Sequence, residues 1–377
     1  MSCSLCRLPF TPSWISVDPH PPPEGILTKA QEKYMVKAVI WGTFVPGLLR
    51  HDEYADNNMF SNVGKHPVSM VMTWQCPSPP CTVMAFHTTC AAFLRKALNA
   101  DSWSKESLTR LCEMEPVLGM PQTGTLSGRY RELDYENLGT DCGRDSHVDI
   151  EQFWVPGKSE SGLDCGFMWQ DIKNSELAWT LNRPDVFPKF FTEVSEKRLS
   201  SVGDPHPQTD LLTTQPVDII HALLPHLSIS DYLALTSTCR YLRRLALTTF
   251  QPHARKLVLS LGWAMPLRQE YAIAIKSQAN KKTPGSVVAH EKHSPQDADW
   301  LLYLSHVHRT GSMRARRWKW VLAQKLASLY EEKRKDIIFE GGNEEAGVRS
   351  AKGREVYGKV AQMWPMASML KDVEETL

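Results

Sequence analysis

The sequence has no apolar run approaching the ~18–20 residues that a membrane-crossing helix needs, and its opening MSCSLCRLPF holds no stretch of signal-peptide length. It also lacks an excess of charge of either sign: 43 Lys and Arg against 42 Asp and Glu leave a formal net charge of +1 over 377 residues. That balance gives no global field to gather nucleic acid or to hold the chain on an anionic membrane, so neither is expected as a partner. No phosphate-cradling GxGxxG or GxxxxGK[ST] loop is present, and residues 159–161 lack the GxSxG of a nucleophile elbow. His290, Glu291 and His293 fall one residue short of the HExxH zinc-protease spacing, so on a helix the two imidazoles would not share a face. No repeat of roughly 20–50 residues recurs, which sets aside leucine-rich, WD and kelch arrays. The chain is therefore read as a non-enzyme, with no catalytic residues.

What is there is ordinary in bulk and uneven along the chain. A hydrophobic share of 42% and a charged share of 23% suit a globular protein, and the length exceeds what one core usually absorbs. Nine cysteines without a secretory signal argue against a disulfide framework and for a reducing compartment, cytoplasm or nucleus, where close Cys pairs more often bind metal.

The expected fold is mainly α and multidomain. Residues 29–41 (KAQEKYMVKAVIW) have apolar positions near helical spacing, 68–74 (VSMVMTW) read as a strand, and 86–98 (FHTTCAAFLRKAL) as a helix. Together they suggest a small α/β unit over residues 1–115. Residues 116–210 read as an irregular connection, its Phe153, Trp154, Phe167 and Trp169 packing on neighbours, with a polar linker at 198–214. A third unit spans 211–250. A C-terminal helical region covers 251–377, with a mobile loop near 277–297 and an amphipathic helix over 315–337. Arg314, Arg316, Arg317 and Lys319, interleaved with Trp318 and Trp320, read as the wet basic face of that helix.

Residues 214–246 (TQPVDIIHALLPHLSISDYLALTSTCRYLRRLA) are the most informative part of the chain. Pro216 suits the first position of a helix, where its missing N–H costs nothing. Ile219, Ile220, Leu223, Leu224 and Leu227 form one broad apolar face, and Ser230 is a natural N-cap with Asp231 in the first turn. Leu233, Leu235, Cys239, Leu242 and Leu245 carry the pattern through one or two further helices.

This register resembles the F-box family, whose pattern is Leu-Pro-x-Glu-Ile-Leu, a Leu-x-x-Leu helix, Asp-Leu-Leu-x-Leu, then Cys-Arg and a bulky residue. Pro216, Asp218, Ile219, Ile220, Leu223, Leu227, Asp231, Leu233, Leu235, Cys239, Arg240 and Leu242 fall in step with it. Gln215 stands where Leu is usual, Leu242 where Trp or Phe is common, and Pro225 should interrupt the first helix. The resemblance implies a three-helix unit that docks the Skp-type linker subunit of a cullin ubiquitin ligase. The flanking regions would then recruit an unidentified client, and catalysis would belong to other subunits. Pro216, Ile219, Ile220, Leu223, Leu224, Leu227, Leu233, Leu235, Cys239 and Leu242 would make the docking contacts, with Ile220, Leu223 and Leu227 as the central stripe. The alternatives are an F-box interaction protein acting outside a ligase, and a zinc-containing protein that binds nucleic acid.

Cys3 and Cys6 have the spacing of a zinc knuckle, in which a tight turn aims two thiolates at one ion. A second pair must come from elsewhere: His87 and Cys90 are favoured, and the Pro-flanked Cys76 and Cys81 are the alternative. The chain as a whole resembles fungal F-box proteins that open with Cys-x-Leu-Cys, carry a later Phe-His-x-x-Cys and place the F-box centrally. They also share an Asp-Trp stretch ending Leu-Tyr-Leu, here 299–304, and a Met-Arg-x-Arg-Arg, here 313–317. Zinc is the one cofactor this reading implies.

Overall fold

The computed structural model describes residues 2–10, 22–42, 49–50, 83–102, 104–119, 130, 132–138, 147–156, 165–207, 209–268, 270–271 and 298–376. In chain order the elements are α1 (Lys29–Met35), β1 (Ala38–Gly42), β2 (Leu49–Arg50), β3 (Val83–His87), α2 (Thr88–Ala97), α3 (Lys105–Leu118), β4 (Trp154–Pro156), β5 (Cys165–Phe167) and α4 (Trp169–Asn174). They continue as α5 (Glu196–Val202), α6 (Val217–Leu223), α7 (Ile229–Thr238), α8 (Arg240–Leu247), α9 (Gln251–Ser260), α10 (Trp300–Val307), α11 (Gly311–Ile338) and α12 (Ala351–Thr376). Among the described residues the fold is mainly α, with short strands only. Among the described residues no helix is long and apolar enough to cross a membrane. The strand expected at 68–74, the loop at 277–297, His290–His293 and the Cys76/Cys81 pair lie outside the described residues.

The chain forms two compact units, residues 1–183 with 317–377, and residues 184–316. These do not follow the boundaries expected at 115, 210 and 250. The end of the chain belongs with its beginning, because apolar and charged groups of α11 and α12 find partners there. Trp318 meets the edge of Trp179 with ring centres 5.9 Å apart, and Trp320 meets Phe93 at 5.3 Å. Buried Glu113 of α3 accepts from Arg334 Nε at 2.6 Å and from the Tyr330 hydroxyl. Leu108 packs with Val356 and Val360 of α12. None of these contacts follows from local periodicity.

In this first unit the stretch 29–41, read as helical throughout, divides. Thr28 and Gln31 cap α1 reciprocally, the Gln31 amide donating to Thr28 Oγ1 at 3.3 Å and the Thr28 amide to Gln31 Oε1 at 2.8 Å. The helix stops at Met35, and Val39 and Ile40 continue as β1, where β-branched side chains fit better. β1 is the centre of a three-stranded antiparallel sheet in the order β2-β1-β3, with Ala38 opposite His87 and Gly42 opposite Val83. The register delivers His87 to the strand end, where α2 begins at once. Farther along, β4 and β5 pair antiparallel, and Trp154, Phe167 and Trp169 meet edge to face at 5.0 and 4.8 Å. That is the aromatic packing expected of the irregular region.

Where α12 follows α11, the Ser350 amide donates to the Ile338 carbonyl at 2.9 Å, and the Gly353 amide to Ser350 Oγ at 3.1 Å. A Cβ on Gly353 would lie 2.3 Å from that same Ile338 carbonyl oxygen. Gly353→Ala should therefore destabilise by about 1–3 kcal/mol through overpacking, although Ala favours a helix by roughly 1 kcal/mol. Urea unfolding measures the difference, and a variant at or above wild-type stability would contradict the packing.

The second unit contains the segment that resembles an F-box. Pro216 caps α6, and a 3-10 turn at Leu224–His226 carrying Pro225 ends that helix, as expected of a proline there. α7 is capped by Ser228, not Ser230: Ser228 Oγ accepts from the Asp231 amide at 3.1 Å. The stretch 198–214, read as a linker, is partly built into structure. α5 covers its start, Arg244 donates to the Leu199 carbonyl at 3.2 Å, and Arg198 pairs with buried Asp299.

The basic face expected to be wet is so only in part: Arg314 and Arg317 are partly exposed, while Arg316 and Lys319 are buried. Arg316 is buried and forks onto Glu270, donating from Nη1 to Oε1 at 2.7 Å and from Nη2 to Oε2 at 2.8 Å. It donates further to the Trp263, Pro184 and Met265 carbonyls. A guanidinium has five N–H donors, and a charge taken from water persists only where such donors are satisfied.

Candidate metal centre

The first ligand pair comes from a tight turn. The Cys3 amide donates to the Leu8 carbonyl and the Arg7 amide to the Cys3 carbonyl, both at 2.9 Å, while Ser2 bridges to Pro9. The turn closes with Arg7 at φ 64°, a left-handed conformation that costs a side chain energy unless its surroundings enforce it. Here they do. Buried Arg7 forks onto Glu151, its Nη1 donates to Ser2 Oγ at 2.7 Å, and Trp154 Nε1 donates to its carbonyl at 3.0 Å.

The second pair straddles the β3–α2 junction. His87 is the N-cap of α2 in extended conformation and Cys90 lies in the first turn, so His-x-x-Cys aims both groups at one point. The positive end of α2 faces there too, which favours thiolates. The His87 amide donates to Cys3 Sγ at 3.3 Å, and His87 Nδ1 lies 3.4 Å from Cys6 Sγ, 81 positions away in sequence. Cys3, Cys6, His87 and Cys90 are each 0% exposed. Their ligand atoms all lie within 4.8 Å of one another. A tetrahedron with metal–sulfur bonds of about 2.3 Å has edges of about 3.8 Å, so little movement is needed to close on an ion. The cluster can hold a metal. It is the set favoured from the sequence.

Electrostatics shift the groups of the cluster in different directions. Burial alone would raise the Cys6 thiol, but hydrogen bonds with Cys3 and Cys90 and the charges of Lys319 and His87 hold it well below its ordinary value. Cys90 moves oppositely, pushed well up by burial and by Cys3 and Cys6. Burial would lower His87, yet the charges of Cys6 and Cys3 raise it to about 9. The Tyr34 ring stacks on His87 at 5.7 Å and Phe10 lies at 4.6 Å, walling off the imidazole. With all four positions taken by protein, the site offers no open place for water or substrate, the mark of a structural centre.

Sequence reasoning missed two contributors, Arg7 and Lys319. Arg7 directly follows the Cys-x-x-Cys, where a turn residue is required, and that was a usable signal. Lys319 carried none, since its place beside the cysteines depends on where α11 packs.

The structure also sorts the expected docking residues. Ile220, Leu224 and Leu242 are buried, with Tyr232, Ala246 and Phe250, in the segment's own interior. They cannot form a docking stripe while it is folded. Of the expected stripe of Ile220, Leu223 and Leu227, Ile220 alone is corrected: successive residues on a helix lie about 100° apart, so Ile219 points outward where Ile220 points in. Pro216, Ile219 and Leu223 are exposed, and Leu227, Leu233, Leu235 and Cys239 are half-buried. Comparison with protein-family models, curated proteins and solved structures gives no match.

Proposed function

We propose that the chain is an adaptor that docks the Skp-type linker subunit of a cullin ubiquitin ligase through residues 211–250 and recruits a client protein to it. One observation carries the reading: the register that resembles an F-box lies on three short helices, α6 to α8, and the first of them leaves apolar side chains bare. Ile219 and Leu223, one turn apart on α6, are 50% and 44% exposed, and Leu211 just before them is 85% exposed. Covering an Ile or Leu is worth about 1.5–3 kcal/mol, a gain available only from a partner. Meanwhile Ile220, Leu224 and Leu242 hold the helices in place.

We further propose zinc as the ion of the N-terminal centre. Three thiolates and one imidazole are a soft, four-membered set that suits zinc better than calcium or magnesium. When bound, zinc would supply a fixed crosslink between the Cys3–Cys6 turn and the start of α2. The residues around it exclude water and orient the ligands.

The adaptor reading is tested with Ile219→Asp and Leu223→Asp together. Both side chains face solvent, so the double variant should fold and melt as wild type does. It should lose co-purification of the Skp-type subunit and of cullin. Undiminished capture by the folded variant would remove the reading. Ile220→Asp should instead unfold the second unit, since it places a charge in its interior.

A further inference from the structure

α7 ends at Thr238, and Cys239, in extended conformation, is the single residue before α8 begins at Arg240. Beside that turn is a hollow of about 610 Å³, walled by the end of α7 and by Pro205, His206, Arg240, Tyr241 and Arg243. Arg240 and Arg243 stand three positions apart, which on a helix places them on one face. Both are exposed, and among the described residues neither guanidinium pairs with a carboxylate. No carboxylate lines the hollow. Charges balance over the whole chain, and buried Arg7, Arg316 and Arg334 each meet a glutamate. Here positive charge is left over. Arg198, close by, is held below its ordinary value by burial first and by the charge of Arg243 second.

The lining says what kind of group would settle there. Ser237 and Thr238 are spent as donors, since their hydroxyls donate to the Leu233 and Leu235 carbonyls, both at 2.7 Å. Two guanidiniums and the His206 imidazole remain, beside the apolar ring of Pro205 and half-buried Tyr241. Each guanidinium is a planar fork that matches two oxygens of an anion. A carboxylate has only two oxygens, for which two forks would compete. A phosphate monoester has three free oxygens and nearly two negative charges. The hollow is also far larger than bare phosphate requires, within the roughly 300–1,000 Å³ of small-molecule sites.

We infer that this hollow binds a phosphate monoester, its dianion held by Arg240 and Arg243 and its carrier lying against Tyr241 and Pro205. The site uses neither the metal ligands nor the bare side chains of Leu211, Ile219 and Leu223.

Calorimetric titration of the full chain tests it with three probes: phenyl phosphate, a short peptide carrying one phosphoserine, and inorganic phosphate. One of the two esters should bind about 10-fold more tightly than inorganic phosphate, the gain from covering apolar surface of side-chain size. Whichever ester is tighter identifies the source of the group. Arg240→Gln and Arg243→Gln should each weaken that ester about 10–100-fold, the loss of a charge-assisted hydrogen-bonded pair. Both side chains are exposed, so the variants should melt as wild type does. Arg240→Lys should recover only part of the affinity, because an ammonium keeps the charge without the fork. Arg309→Gln removes an exposed charge that does not line the hollow, and should change nothing. Three results would overturn the site: no ester binding tighter than inorganic phosphate, which would mean an adventitious ion only; ester binding that both glutamine variants keep; or an equal loss in Arg309→Gln.

Discussion

Removing the metal with a strong chelator is expected to unfold much of the first unit and to release about one zinc per chain. The reason lies in what the ion connects. Cys3 and Cys6 sit in a turn of the first ten residues, and His87 and Cys90 at the start of α2. Without an ion, three buried sulfurs, an imidazole tending to protonate and a lysine are left crowded together. Structural zinc in small fingers contributes roughly 10–16 kcal/mol at neutral pH, comparable with the 5–15 kcal/mol total stability typical of a domain. Cys6→Ser and Cys90→Ser should each abolish the bound zinc and lower the melting temperature sharply. Cys112→Ser and Cys239→Ser should keep the ion, since neither residue belongs to the cluster. The ligand thiolates must be deprotonated, so affinity should fall as pH falls and acid should release the ion. Elemental analysis alongside circular dichroism melts measures all of this. A zinc-free preparation as stable as the loaded one would refute the structural role. Loss of zinc in Cys76→Ser and Cys81→Ser, with Cys90→Ser retaining it, would transfer the second ligand pair to the Pro-flanked cysteines.

Arg316→Met should destabilise the second unit by about 3–5 kcal/mol, the usual result of breaking a buried ion pair from one side. The guanidinium contributes two bonds to Glu270 and one each to the Trp263, Pro184 and Met265 carbonyls, tying α11 to two other stretches of backbone, at 184 and at 263–270. Met fills some of the volume and satisfies none of those acceptors, so the loss is one of buried polar groups left unpaired. Arg314→Gln, two residues earlier and partly exposed, should cost far less, about 0.5 kcal/mol or below. Urea unfolding of the two variants side by side is the measurement. Equal, small effects would restore the wet-face reading of this basic stretch. The contrast also bears on nucleic acid: Arg316 and Lys319 are both buried and cannot reach phosphates.

How much was legible can be traced residue by residue. Pro225 ends α6 as a proline should, and 86–98 contains α2, because both depend on residues within one or two turns. The 29–41 stretch misled because its apolar spacing suits a helix while β1 exists through pairing with β3, more than forty positions on. Ile219 and Ile220 are chemically alike, and an apolar face read from sequence cannot say which of two neighbours turns inward. Ser228 and Ser230 are equally good caps on paper. Only the 3-10 turn before them decides that the helix starts from the first.

By itself, the sequence determined the helical character of most of the chain, the register over 214–246, and the two short motifs, Cys-x-x-Cys and His-x-x-Cys, that could supply metal ligands. Each is a short-range pattern, set by rise per residue, caps and turns. Tertiary structure alone decided that those motifs meet 81 positions apart, that the C-terminal helices belong with the N-terminal residues, and that Arg316 and Lys319 are buried. The physical reason is that burial of a charged side chain depends on what the distant chain brings to it. A guanidinium met by a carboxylate and three carbonyls is tolerable inside a protein. The same residue on an isolated helix reads as part of a surface facing water.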